Sequence, residues 1–440
     1  MVTSNSQIAE TRSIGGRMAA VKDMAGYLRS LFEVEREFVR TASTLIYRVG
    51  DIDLKYLLCQ HIWESAGHAR FLSERGRELS GFGKSESVRK EYCDIFEEAI
   101  RGADSMQVLA GFYQVLKPAL LSAYRHYLAE THHLADWPSS KLVEEFILDE
   151  ERHAAEVAPF LESVVSAEWQ DHLSTCLSAL GGWINETPVE ALPTDFVWLG
   201  SDQAYSHSET CNRGDFPVCS SVFGADPDGD PIVREWLDDP ETDARVIRIM
   251  IYVWLMMELD AVDYLATVFY DTKEAPFEMH FDLARHLWDE SRHSQFGYRQ
   301  LPKLGVDLST LEHSLDLYNI LVQMLPHERY AMMTMEFEAG SFPTKAKVMD
   351  RVRELNDFEA DTLLAFDRND EQAHVRYGHR WLPQIMSLFG ETRPVGEFVE
   401  ATRARFAELT KVFGGKTPHS LTPGERLTGR KILKLAKASS

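Results

Sequence analysis

The chain has 440 residues, is 44% apolar, and carries a net charge of −23 from 69 acidic and 46 basic side chains. The length suggests two domains, each with enough apolar residues for a core, and the acidity argues against a nucleic-acid partner, which needs a basic surface. The longest apolar run, Ile249 to Met257, is too short to span a bilayer and stops at Glu258, so no membrane partner is expected. The N-terminus lacks a signal-peptide core, and the cysteines (Cys59, Cys93, Cys176, Cys211 and Cys219) are odd in number and scattered. Both features suit a reducing cytoplasm.

Residues 1 to about 18 read as a flexible lead-in. Helical periodicity then predicts a helix from near Met24 to Gly50, crowded with Glu33, Glu35 and Glu37. A second spans about 54–79 and closes at Ser80-Gly81-Phe82-Gly83. A short helix near 87–101 leads to a long one over about 105–135, with a kink expected at Pro118. Asp136 to Ser140 is a turn and N-cap, followed by helices over about 139–165 and on to Leu180, ending at Gly181-Gly182.

Residues 183 to about 232 lose periodicity and read as a linker or cap. Asp226 to Asp230 resembles a calcium loop but lacks the downstream Glu, so a plain turn is expected. Cys211 and Cys219 are not spaced like a zinc knuckle. The pattern then restarts, with helices predicted over about 241–270, 276–300, 311–340, 344–355, 357–388 and 395–413. The last stretch, with Arg426, Arg430, Lys431, Lys434 and Lys437, reads first as a disordered solubilising end and second as a basic segment that touches an acidic surface of its own protein.

Three pentapeptides carry the chemistry: 149–153 (Asp-Glu-Glu-Arg-His), 289–293 (Asp-Glu-Ser-Arg-His) and 370–374 (Asp-Glu-Gln-Ala-His). Residues three apart share a helix face, so Glu290 and His293 can reach one metal ion, as can Glu371 and His374. A di-iron site in a four-helix bundle takes a Glu from each of two helices and a Glu-x-x-His from each of the others. Carboxylates and imidazoles together suit iron and leave positions open for dioxygen. The Asp before each Glu suits an outer role, accepting the ring N–H of a ligating His.

The two halves repeat in order. The stretch His61 to His68 aligns with His286 to His293, Glu35 with Glu258, Tyr124–Glu130 with Tyr330–Glu336, and Glu150/His153 with Glu371/His374. The C-terminal half offers a full set: Glu258, Glu290, His293, Glu336, Glu371 and His374. Glu336 is preferred to Glu338, whose side chain an ideal helix would turn away. The N-terminal half offers Glu35, His68, Glu130, Glu150 and His153 as a second, degenerate site. Ser65 replaces the Glu290 carboxylate there, with Glu64 and His133 nearby as substitutes.

On these residues the chain resembles the ferritin-like di-iron carboxylate superfamily. The 289–293 motif looks like that of bacterial multicomponent monooxygenases. The stretch 370–381 is similar to the last helix of an uncharacterised ferritin-like domain family with an Asp-Glu-x-x-His-Val-x-x-Gly-x-Arg-Trp motif, and Met257 to Ala261 and Glu336 to Gly340 fit its first and third helices. The resemblance implies an all-α protein of two tandem ferritin-like four-helix bundles. Its segments are a degenerate bundle at 19–182, a linker or cap at 183–235, a ligand-complete bundle at 236–392, and a helix with a basic tail at 393–440.

The implied function is a di-iron oxidase or oxygenase using O2 on a small organic substrate, with Glu290 and Glu371 as catalytic ligands. The cofactor is two Fe, or a Mn/Fe pair, and both an electron donor and a homodimer fit the reading. The alternative is a ferroxidase or storage protein without an organic substrate. Trp254, Met256, Met257, Met332, Met333 and Met335 read as core packing before pocket lining, while His286 and Glu328 read equally as outer-sphere groups and as core polar residues.

Overall fold

The computed structural model describes residues 20–79, 88–162, 164, 167–200, 204–220, 237, 239–429 and 431–432. The lead-in, the closing loop at 80–83, the Asp226–Asp230 turn and the tail positions Arg430, Lys434 and Lys437 lie outside them.

The protein is all-α. In the N-terminal half the helices are α1 (Val21–Ile46), α2 (Ile52–Glu78), α3 (Lys90–Ala99), α4 (Ser105–Ala110), α5 (Lys117–Glu130), α6 (Trp137–Leu161) and α7 (Ala167–Leu180). In the C-terminal half they are α8 (Ala244–Met256), α9 (Leu259–Asp271), α10 (Phe277–Gln300), α11 (Asp316–Leu321), α12 (Pro326–Ala331), α13 (Glu338–Glu354), α14 (Phe358–Leu388) and α15 (Val395–Phe413). Among the described residues the only strands are β1 (Val218–Cys219) and β2 (His313–Ser314), which pair in parallel.

Two of the expected long helices contain a wide turn. Gly111–Leu116 joins α4 to α5, and Met332–Phe337 joins α12 to α13, both as π-helix. In the first, Pro118 cannot donate to the carbonyl four residues before it, which favours the wider hydrogen-bonding pattern. The predicted first helix of the C-terminal half is broken at Met257–Glu258, which leaves Glu258 at the N-cap of α9. The predicted helix at 344–355 is not separate, because α13 runs straight through it despite Pro343.

The halves are packed into one body. Helix α1 packs on α2 and on α9, and α2 packs on α10, so nearly every residue of α1 from Ser30 onward is buried. A helix buried all round would ordinarily be apolar throughout. Here its charges are paired instead. Arg40 donates to Glu37 and Glu97, each at 2.7 Å, and Arg36 donates to the Ala275 carbonyl at 2.9 Å across the junction. Lys55 donates to Asp263 at 2.7 Å with neither side chain exposed, and Arg213 bridges Asp263 and Asp260. One continuous apolar cluster includes residues of both halves, from Met24 to Phe406.

The described part of the expected linker is pinned down. Trp183 is fully buried, and Glu98 accepts from the amides of Leu199 (2.9 Å) and Gly200 (2.6 Å). The described residues of the tail pack on the body, the second of the two sequence readings and not the first. The Leu427 amide donates to the Thr310 carbonyl at 2.8 Å, and Arg426 and Ile432 are buried. The apolar Ile432 and the acidic Glu312 beside Arg426 and His419 supply the docking surface.

Candidate metal centre

Helices α10 and α14 each present three inward groups. On α10 these are His286, Glu290 and His293, and on α14 they are Asp367, Glu371 and His374. Spacings of four and three residues put each trio on one face. Glu338 begins α13, directly after the π segment, and Glu258 caps α9 at the helix break. Their ligand atoms fall into two groups, His286–Glu290–Glu338–His374 and Glu258–His293–Asp367–Glu371. All but Glu258 are nearly inaccessible. Glu258 has a 13% exposed side chain, so the helix break is where the centre comes nearest to solvent.

The motifs contribute crosswise. Glu290 lies with His374, at 3.1 Å from Nδ1, whereas its own motif partner His293 lies 3.2 Å from Glu258 and 3.3 Å from Asp367. Glu371 joins the His293 group in turn. Each Glu-x-x-His motif therefore gives its carboxylate to one group and its imidazole to the other. His374 Nδ1 is also 3.1 Å from Glu338, and His286 Nε2 is 2.7 Å from Glu338.

The outer shell is crossed too. His374 Nε2 faces Asp289 at 3.4 Å, and His293 Nε2 faces Asp370 at 3.3 Å. The Asp preceding each Glu thus meets the imidazole of the other motif, and this contact points Nδ1 inward. Arg285 donates to Asp289 at 2.8 Å and Arg292 donates to Asp370 at 2.7 Å, which fixes both carboxylates.

Electrostatics ask for a cation. Although burial opposes its charge, the carboxylates of Asp367, Asp370 and Glu258 push His293 up to about 10. Burial and Glu338 work against ionising Glu290, yet His286 and His374 hold it down at about 2. Burial and the facing Glu338 carboxylate push Glu371 well above the usual range, while the imidazoles of His374 and His286 keep Glu338 well below it despite its burial. Two carboxylates this close share a proton when nothing else neutralises them. Glu258 Oε2, Glu290 Oε1, His293 Nδ1, Asp367 Oδ2 and Glu371 Oε2 are buried without a hydrogen-bond partner. Such atoms are costly unless a ligand satisfies them. The donor set therefore fits oxygen-preferring transition ions.

Glu336 is not part of the centre. It forms a two-pronged ion pair with Arg403 at 2.7 and 2.6 Å near the surface. The π-helix explains the error: its wide turns absorb extra residues, so the ideal-helix phase carried from Tyr330 turns the wrong side chain inward. Gly378 permits this packing, since a Cβ there would collide with Thr334 of the π segment. Asp367 was legible from its place one turn before Glu371, and His286 holds the matching place before Glu290. Lys345, two turns beyond Glu338, is the other residue missed. It donates to Asp367 at 2.5 Å and Glu371 at 2.6 Å, and lies 3.4 Å from Glu258.

In the N-terminal half Glu35, His68 and Glu150 converge. His68 Nδ1 is 3.0 Å from Glu35, whose same oxygen accepts from the Tyr124 hydroxyl at 2.6 Å. Glu130, at the end of α5, is outside the group. His153 turns Nε2 to Glu64 at 2.6 Å and lies 3.6 Å from Glu150, so Glu64 plays the part of Asp289 and not that of Glu290. A 221-residue separation relates Gly111 to Met332, Lys117 to Glu338, Glu150 to Glu371 and His153 to His374. The predicted match of Tyr124 with Tyr330 is therefore out of register, because the first follows its π segment and the second precedes it. The proper equivalents place Lys117 where the other half has Glu338, and Phe146 where it has Asp367. Lys117 donates to both oxygens of Glu150, at 2.7 and 2.8 Å.

A third group, Cys219–Glu312–His419, sits beside the β1–β2 pair. His419 Nδ1 (2.6 Å) and the Leu421 amide (2.9 Å) occupy the Glu312 oxygens, which fits a tail anchor. All the cysteines are free and buried.

Residues 240–416 match the model of a family described as a protein of unknown function (DUF455). That span contains both C-terminal groups and Lys345, and excludes the N-terminal half. A search of curated proteins and a search of solved structures found no match. No helix among the described residues is long and apolar enough to cross a membrane.

Proposed function

We propose that the C-terminal half holds a pair of iron ions and that the protein is an O2-dependent oxidoreductase of a small organic substrate, built on the ferritin-like di-iron carboxylate plan. The observation that carries this reading is the crossed constellation of five carboxylates and three imidazoles, with buried oxygens left unpartnered. His286, Glu290, Glu338 and His374 would hold one ion, and Glu258, His293, Asp367 and Glu371 the other. Manganese is an acceptable replacement for one of them. Ferrous iron held there would supply electrons to dioxygen.

The remaining work falls to the protein. Asp289 and Asp370 hold the Nε2 protons and fix the imidazole tautomers. Closely packed helices exclude water from all donors but Glu258. A substrate approaching at the Met257–Glu258 break would meet half-buried Trp254 and Met257. The acidic balance makes a nucleic-acid substrate a poor fit, since phosphate contacts need Lys and Arg.

The test is anaerobic loading of the full-length chain with Fe(II), then mixing with O2 alone and with a panel of small organic compounds. The expected result is O2 consumption by wild type, accelerated by a compound that is itself oxidised, and abolished in Glu371→Ala. Rapid iron oxidation that no compound accelerates would favour the ferroxidase reading. Absence of iron binding would end both.

A further inference from the structure

Lys345 lies where the second ion would sit. Its ammonium faces three of the four donors in the Glu258–His293–Asp367–Glu371 group, two of them at 2.5 and 2.6 Å. Among the described residues no lysine or arginine forms an ion pair with the carboxylates of the His286–Glu290–Glu338–His374 group. The lysine is fixed in place: its side chain is 2% exposed and its Nζ lies 5.6 Å from the centroid of the Trp254 ring.

The other half makes the same use of an ammonium, from a different position. Lys117 stands at the register of Glu338, not of Lys345, yet its Nζ clasps Glu150, the counterpart of Glu371. It is likewise buried and lies 4.0 Å from the Phe38 ring centroid. Two lysines arriving by different routes at equivalent carboxylates show that this point of the fold needs a positive charge. A buried carboxylate cluster without one is strongly unfavourable.

From this we infer that Lys345 is a tethered cation that holds the second subsite in the metal-free protein, so that the centre loads in two unequal steps. The first ion enters the His286–Glu290–Glu338–His374 group. The second must displace the Lys345 ammonium from Asp367 and Glu371. In the N-terminal half Lys117 is the lasting form of the same substitution, because Ser65 and Phe146 leave too few ligands to compete. This inference rests on the proposed metal centre and adds its order of filling.

The experiment is an anaerobic calorimetric titration of the full-length apoprotein with Fe(II), repeated with Mn(II), with bound metal counted after desalting. Wild type should show two steps, the second weaker by about tenfold or more, between the roughly fivefold that one charge pair is worth in water and the roughly thousandfold at an effective dielectric of about 20. In Lys345→Met the second step should tighten until the two merge. Lys345→Gln serves as a second variant should the first not fold, with circular dichroism as the check. Asp367→Ala should remove the second step and leave the first. Two equal steps in wild type, or a gap unchanged in both lysine variants, would overturn the role of Lys345 while leaving the metal centre standing. No metal bound by wild type or by any variant would overturn the centre itself.

Discussion

The two halves of this chain share a scaffold and differ in charge at its centre. Both have a π segment in the third helix, a stacked pair of histidines (His61–His153 at 3.8 Å, His286–His374 at 3.7 Å) and an outer carboxylate on two Nε2 atoms, those of His68 and His153 in one half and of His293 and His374 in the other. The C-terminal half keeps five inward carboxylates around three imidazoles. The N-terminal half exchanges three of them, placing Ser65 for Glu290, Lys117 for Glu338 and Phe146 for Asp367. These exchanges remove negative charge and add a positive one, so the cluster is neutralised from within. The comparison teaches that one scaffold can carry either a carboxylate-rich centre or one whose charge is met by a side-chain cation, without a change of fold.

The largest effect should come from exchanging the two candidates on the third helix. Glu338→Ala should reduce iron affinity and O2 consumption by about 100-fold or more, since even outer-shell changes around a metal cost about 10–100-fold. Glu336→Ala removes only an exposed ion pair with Arg403, worth about 0–1 kcal/mol, and should leave both unchanged. Metal analysis and an oxygen electrode decide. Loss of iron in Glu336→Ala alone would return the site to the ideal-helix register.

A smaller separation should appear in the outer shell. Asp289→Asn and Asp370→Asn should each weaken iron binding by about 10–100-fold, because the imidazoles of His374 and His293 lose their orienting carboxylates. Asp149→Asn, the same change in the N-terminal half, should leave iron content at the wild-type level. Equal losses from all three would mean that both halves bind metal.

These contrasts mark how far the sequence could be read. The helices around both motifs, the motifs themselves, the repeat and the outer role of the aspartates all follow from short-range spacing, which a helix preserves. α10, α14 and α15 fall within a residue or so of their expected bounds. Glu338 was lost because a π turn changes the phase and leaves no simple signature. Lys345 and Lys117 were passed over because a lysine in a helix ordinarily reads as a solvated charge. The docked tail ranked below a disordered end because its contacts, Arg426 and His419 on Glu312, join segments more than a hundred residues apart. The shared core between the halves was hidden for the same reason: Lys55 and Asp263 each look like surface residues until they meet.

That junction gives the most modest test. Lys55→Met strips Asp263 of one of its two cations and should lower stability by about 3 kcal/mol, toward the low end for breaking a buried pair because Arg213 remains. With one apolar core running through both halves, chemical denaturation of wild type and variant should each give a single transition. Two separated transitions would show that the halves fold independently.

The central claim is that metal belongs to the C-terminal half and an internal ammonium to the other. Iron content after anaerobic loading, measured on the full-length chain as wild type, Glu150→Ala and Glu371→Ala, tests it most directly. The account predicts about two irons per chain in wild type, by the ligand count of the bundle motif, the same number in Glu150→Ala, and a loss in Glu371→Ala. Iron lost from Glu150→Ala and retained by Glu371→Ala would contradict it.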